Sequence, residues 1–130
     1  MRAQRTVWFV DRKRETSYVR GMIVEYIRYE ISDPEPFLLG YEAARNALES
    51  SAHCLSYELS RCTEAPTAFI LRIEWDSAEG HLQGFRRSPE FAVFLGAVRP
   101  FIENIQEMRH YAPTPIASRK AVPAASDRQF

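Results

Sequence analysis

Residues 67–101, TAFILRIEWDSAEGHLQGFRRSPEFAVFLGAVRPF, decide the fold. Within Ala68–Trp75, the residues Phe69, Leu71, Ile73 and Trp75 alternate with Ala68, Ile70, Arg72 and Glu74. That period of two puts one set on each face of a strand. Asp76 and Ser77 follow with N-cap oxygens, and Glu79 stands three residues after Asp76, the spacing of a capping box. Ser88-Pro89-Glu90 supplies a second helix start: a capping hydroxyl, a proline at the first helical position, and an acid near the positive end of the dipole. Beyond it Phe91, Phe94, Leu95, Val98 and Ile102 recur at helical spacing. The stretch reads as a strand, a capped turn and a helical hairpin.

The flanking sequence completes the plan. His53–Cys62 alternates Leu55, Tyr57 and Leu59 against Ser56, Glu58 and Ser60, and Thr63-Glu64-Ala65-Pro66 is short enough to make this strand an antiparallel hairpin with the next. Met22–Ile31, rich in Ile, Val and Tyr, reads as a first strand. Ser32-Asp33-Pro34-Glu35 opens a helix on which Phe37, Tyr41, Ala44 and Leu48 form one apolar face. Asn104–Tyr111 reads as a fourth strand, stopped by Pro113 and Pro115. The order β-α-β-β-α-β is the split βαβ, ferredoxin-like plan of an α+β domain. Ile23, Ile27, Leu55, Tyr57, Leu59, Phe69, Leu71, Ile73 and Trp75 are expected to face the helices. The opposite face then carries Val24, Tyr26, Arg28, Glu58, Ile70, Arg72 and Glu74, too apolar for water and too charged for a core. A second copy packed sheet to sheet would bury it and let Arg–Glu pairs form, so a homodimer is expected.

The 130 residues suffice for one domain with a real core, and 45% apolar with 26% charged residues is ordinary for a globular protein. The expected organisation is an N-terminal arm over 1–21, a folded domain over 22–112 and a loosely ordered tail over 113–130. Thr6-Val7-Trp8-Phe9-Val10 offers an added edge strand within the arm, but Arg12-Lys13-Arg14-Glu15 closes it at once. No apolar run approaches the ~20 residues of a membrane span, and the basic N-terminus lacks an apolar segment with a cleavage site. No membrane partner is therefore expected, and the cytoplasm is the expected compartment. Charge is uneven: six basic against two acidic residues over 1–21, eight against fourteen over 22–112, and three against one over 113–130. The acidic body excludes a nucleic-acid module, whose footprint is a basic stripe. Cys54 and Cys62 lie at the two ends of one strand, ~26 Å apart, which excludes a bridge between them.

From the first strand through IEWDSAEGHLQGFRRSPEF to MRHY, the chain resembles the antibiotic biosynthesis monooxygenase domain family, over about Met22–Ala112. The resemblance rests on a strand ending in Glu-Trp, then Asp-Ser, an acid, and a helix leading to Ser-Pro-x-Phe. It implies a dimeric α+β barrel. For activity it implies cofactor-free oxygenation of aromatic polyketides, quinol oxygenation or haem degradation; many members have no known role, and some related domains are fused to truncated haemoglobins. Many members carry a histidine where this chain has Phe85, and often another where Glu90 stands. The Asn, Trp and His of the haem-degrading branch correspond to positions near Ile27, Phe85 and Leu95, none of them polar, so that chemistry is not expected here.

Cofactor-free oxygenation needs a base to deprotonate an electron-rich phenol or anthrone, whose anion then reduces dioxygen, and donors to hold the oxyanion. His81 and His110 are the candidate bases, because an imidazole titrates near neutral pH. Tyr29, Tyr57 and Arg109 are the candidate donors, and Trp75, Phe85 and Phe91 would line an aromatic slot for a small aromatic ligand. Each has a plainer role open to it. Trp75 and Tyr57 suit a core, His81 suits a surface turn, and His110 suits a hydrogen bond at a dimer seam. A metal site is not expected, since no two of the three histidines share an i, i+3 or i, i+4 spacing. No phosphate-cradling glycine loop, dinucleotide fingerprint or nucleophile elbow is present, and no cofactor is expected. Two functions stay open: a cofactor-independent monooxygenase of a phenolic or quinol-like substrate, and a non-catalytic dimeric binding or accessory domain in a biosynthetic or oxygen-handling pathway.

Overall fold

The computed structural model describes residues 21–121; the arm over 1–20, with its candidate strand, and the end of the tail over 122–130 lie outside the described residues. Strand β1 (Ile23–Glu30) leads into helix α1 (Pro34–Ser50), then strands β2 (Cys54–Arg61) and β3 (Ala68–Trp75). A π-helical turn (Gly80–Gly84) and a short 3-10 turn (Phe85–Arg87) precede helix α2 (Pro89–Val98), a further 3-10 segment (Arg99–Asn104) and strand β4 (Ile105–Tyr111). The four strands form one sheet in the order β2-β3-β1-β4, every neighbouring pair antiparallel. This is the α+β, ferredoxin-like plan.

The core lies between the sheet and the helices. Phe69, Leu71, Ile73 and Trp75 of β3 and Ile23, Ile27 and Tyr29 of β1 are buried there against Phe37, Tyr41, Ala44 and Leu48 of α1 and Phe94 and Val98 of α2. Pro34 starts α1, as its fixed φ favours. At α2, Ser88 Oγ accepts from Phe91 N–H at 3.4 Å and Pro89 occupies the first turn.

Four features differ from the sequence expectation. Leu55 is 54% exposed rather than facing the helices, because a bulge between Cys54 and Ser56 makes it the extra residue and puts Cys54 opposite Trp75. Ile102 falls in the 3-10 segment, off the α2 face, and is exposed. The cap after β3 comes from Ser77, whose Oγ accepts from Gly80 N–H at 2.9 Å, while Asp76 turns to His53. The first arm of the expected helical hairpin is mostly the π-helical and 3-10 turns. On the outer sheet face Val24 is buried within the chain, and Tyr26, Ile70, Arg72 and Glu74 are half-buried. Its charges already pair within one chain: Arg28 with Glu107 at 2.9 Å and Arg72 with Glu74 at 2.8 Å. Residues 113–121 form no helix or strand and are exposed. No helix among the described residues is long and apolar enough to cross a membrane.

Candidate functional site

Strand parity puts one carboxylate among apolar side chains. Ile23, Glu25, Ile27 and Tyr29 share the inward face of β1, and Glu25 is only 4% exposed. Across the sheet Glu25 stands opposite His110 of β4 on one side and Ile73 of β3 on the other. The next inward residue on β3, Trp75, reaches it diagonally, as a long side chain can, and donates from Nε1 to Glu25 Oε1 at 3.0 Å. His81 Nε2 lies 3.5 Å from Glu25 Oε1, His110 Nε2 lies 3.6 Å from Glu25 Oε2, and His110 Nε2 lies 3.1 Å from His81 Nδ1 in a hydrogen bond whose direction the tautomers set. The His81 ring stacks on Trp75, with centroids 4.3 Å apart and planes 10° apart, and Phe85 packs against Trp75 at 4.8 Å.

His81 is delivered by the π-helical turn, a wider local winding often found at functional positions. Two glycines make it fit. His53 Nδ1 and Asp76 Oδ2 form a pair at 3.0 Å beside the turn. A side chain at Gly80 would collide with both members of that pair, and one at Gly84 would collide with the His53 ring. The His53 backbone is held as well: its carbonyl accepts from Asp76 N–H at 2.9 Å, and its N–H donates to Ser51 Oγ at 3.2 Å.

Burial sets the electrostatics of the cluster. It pushes the Glu25 carboxyl up to about 7, against the pull of the Trp75 N–H and the Arg86 charge. It also pushes His81 down to about 3, with His110 and Arg86 adding to the effect, and His110 down to about 4, with Arg86 adding. The site therefore resists charge of either sign. Among the described residues, no Arg or Lys lies within ion-pair distance of Glu25. Such a group of acceptors can take a proton from a bound acid, or hold a cation.

Of the residues singled out from sequence, His81, His110, Trp75 and Phe85 come together here, with Phe91 edge-on to Phe85 at 5.6 Å. Tyr29 does not join them. Its hydroxyl pairs with that of Tyr41 at 2.5 Å, among Phe37 and Tyr41 farther along β1. Tyr57 is on edge strand β2, bonded to Glu49 and Arg45 of α1. Arg109 belongs to the outer face, about half exposed and paired with Glu107. Glu25 was missed, although its inward parity between Ile23 and Ile27 was a readable signal. His53 and Asp76 were missed as a pair, and nothing in their spacing announces them.

The family model for antibiotic biosynthesis monooxygenases matches residues 22–97. The chain belongs to that family. A proposed antibiotic biosynthesis monooxygenase from Bordetella bronchiseptica superposes with a TM-score of 0.59 at 25% identity, over 72% of this chain and 98% of that one. SnoaB, a cofactor-independent oxygenase from Streptomyces nogalater, superposes with a TM-score of 0.58 over 80% of this chain and 99% of that one. At 13% identity the likeness to SnoaB is one of fold. The uncharacterized protein YczJ of Bacillus subtilis is 28% identical over 57 residues, 44% of this chain; the match spans 60% of YczJ. This family member thus shares a fold and a sequence signature with its relatives, while its chemistry has to be argued from its own side chains.

Proposed function

We propose that this protein is a cofactor-independent monooxygenase of a small planar phenol, quinol or anthrone. The observation that carries the reading is the Glu25–His81–His110 cluster, in which three acceptors touch in the interior beside an aromatic wall of Trp75, Phe85 and Phe91. His110, the least buried of the three, meets the substrate hydroxyl and passes its proton on to Glu25, the group of the three that holds a proton most readily, with His81 alongside. The carbanion or phenolate so formed reduces dioxygen. For an anthrone, one oxygen atom ends as the new carbonyl and the other as water. The four electrons come from the methylene carbon, so no external reductant enters. The fold shared with SnoaB accommodates chemistry of this kind. Tyr29, Tyr57 and Arg109 are not carried into the proposal, because their polar groups are engaged elsewhere.

A second reading rests on a different observation. Trp75 and Phe85 are 0% and 2% exposed and fill the space against His81, as they would in a domain that binds a partner or ligand without transforming it. Both readings take the protein to work in the cytoplasm as a homodimer joined through its outer sheet face.

The test is oxygen uptake with a panel of quinols and anthrones, comparing the native chain with Glu25→Gln, His81→Ala and His110→Ala. Loss of the base should cut turnover by about 10²–10⁴-fold while substrate binding survives. No uptake on any substrate selects the accessory-domain reading. Uptake indifferent to all three substitutions removes the cluster from the mechanism.

A further inference from the structure

We propose that Glu25, His81 and His110 bind one divalent transition-metal ion of the zinc class. The three side chains come from β1, the π-helical turn and β4, and each can offer one ligand atom within 4.8 Å of the others. The closest approaches between the side chains are 3.1, 3.5 and 3.6 Å, made through both ring nitrogens of His81 and both oxygens of Glu25. Ligand atoms ~2.0–2.1 Å from a tetrahedral ion stand about 3.3 Å from one another, so one atom from each side chain has to draw in by about 1.5 Å at most to hold the ion.

The supports around the ligands are those a metal centre uses. Trp75 Nε1–H holds one carboxylate oxygen of Glu25 at 3.0 Å, leaving Oε2 towards His110. The Trp75 ring lies flat on His81 and fixes the plane of its imidazole. Neighbours that orient ligands in this way tune affinity. Charge argues the same way. Glu25 and His81 are buried, and among the described residues no Arg or Lys pairs with Glu25, Arg86 acting on it only from a distance, so a bound dication would supply the direct counter-charge. Two imidazoles and a carboxylate favour Zn²⁺, Co²⁺, Ni²⁺ or Fe²⁺ over Ca²⁺ and Mg²⁺, which seek shells of oxygen. Three protein ligands leave a coordination position open, the pattern of a reactive rather than a purely structural zinc site.

This inference does not depend on the oxygenase reading. The ion would occupy the lone pairs that the oxygenase assigns to the proton, so a loaded site could not also serve as the base. The experiment therefore reads binding and not turnover. The full chain, stripped with a chelator, is titrated with Zn²⁺ by calorimetry and with Co²⁺ by visible absorption. One equivalent per chain, with the d–d bands of four- or five-coordinate Co²⁺, is the expected result. Glu25→Gln, His81→Ala and His110→Ala should each abolish the stoichiometric step. Trp75→Phe, which keeps a ring but loses the N–H, should weaken affinity by about 10–100-fold. Cys62→Ala, which removes a thiol just after β2 and away from the cluster, should leave the titration unchanged. Failure of the native chain to bind either ion overturns the proposal without recourse to any variant. So does binding that persists in the ligand variants, or that depends on Cys62.

Discussion

Tyr29 illustrates how much one buried hydroxyl depends on its surroundings. It was drawn from the sequence as an oxyanion donor, yet its partner is Tyr41 and its surroundings are aromatic. Burial pushes it up to about 12, opposed by the bond from Tyr41 and reinforced by Glu25, and burial likewise raises Tyr41 well above its ordinary value. A group whose folded value is raised stabilises the fold below its unfolded value and loses that contribution as pH climbs towards the folded one. For Tyr29 the window runs from pH 10 to about 12, and the loss is about 3 kcal/mol. Tyr29→Phe should flatten the alkaline fall in urea midpoint, and at neutral pH should cost about 1 kcal/mol for the hydroxyl left behind on Tyr41. Native and variant curves running parallel through the alkaline range would refute this. The same residue scale explains why Glu25 was overlooked. Its charge looks ordinary in a list of residues, whereas its place between two inward isoleucines is expensive enough to demand a reason.

At the scale of elements, the sequence was most legible where the pattern was local. The alternation in Ala68–Trp75 and the Ser-Pro-Glu start of α2 correspond to an eight-residue strand and a capped helix. Reading failed where geometry depends on neighbours. The bulge that turns Leu55 outward is a matter of register against β3, which no periodicity within β2 reveals. The π-helical turn packs against His53, the residue just before β2, and needs the two glycines that make room for it. A metal site was set aside because the histidines lack helical spacing, a criterion blind to ligands that converge from β1, a turn and β4. The turn itself can be probed. Gly84→Ala should destabilise the protein by about 1–3 kcal/mol, because the new methyl overlaps the His53 ring and forces it off Asp76. Adding His53→Ala should recover part of that loss, so thermal unfolding of the two single variants and the double variant should show strong non-additivity. Simple additivity would mean that the glycine is there for another reason.

Across the whole molecule, the outer sheet face remains the feature that one chain leaves half finished. Tyr26, Ile70, Arg72 and Glu74 are half-buried there, and Arg28, Glu107 and Arg109 close their ion pairs within the chain rather than waiting for a partner. A sheet-to-sheet homodimer should bury well over ~1,000 Å² in total. Sedimentation of the native chain should therefore report a dimer at micromolar concentration, and Ile70→Glu, which places a third charge beside Arg72 and Glu74, should shift it towards monomer. A native chain that sediments as a monomer would end the dimer proposal. The pairing of β1 with β4 has a further consequence, in time rather than in space. Glu25 sits on β1 and His110 on β4, opposite each other, so the cluster joins residues from the two ends of the domain. Everything else about the core can begin to form from nearer partners, such as the β2–β3 hairpin. A chain emerging from synthesis carries its carboxylate, its tryptophan and its first imidazole before the second imidazole is made. Whatever the cluster does, it begins only once the last strand has docked, and its appearance would time the end of folding.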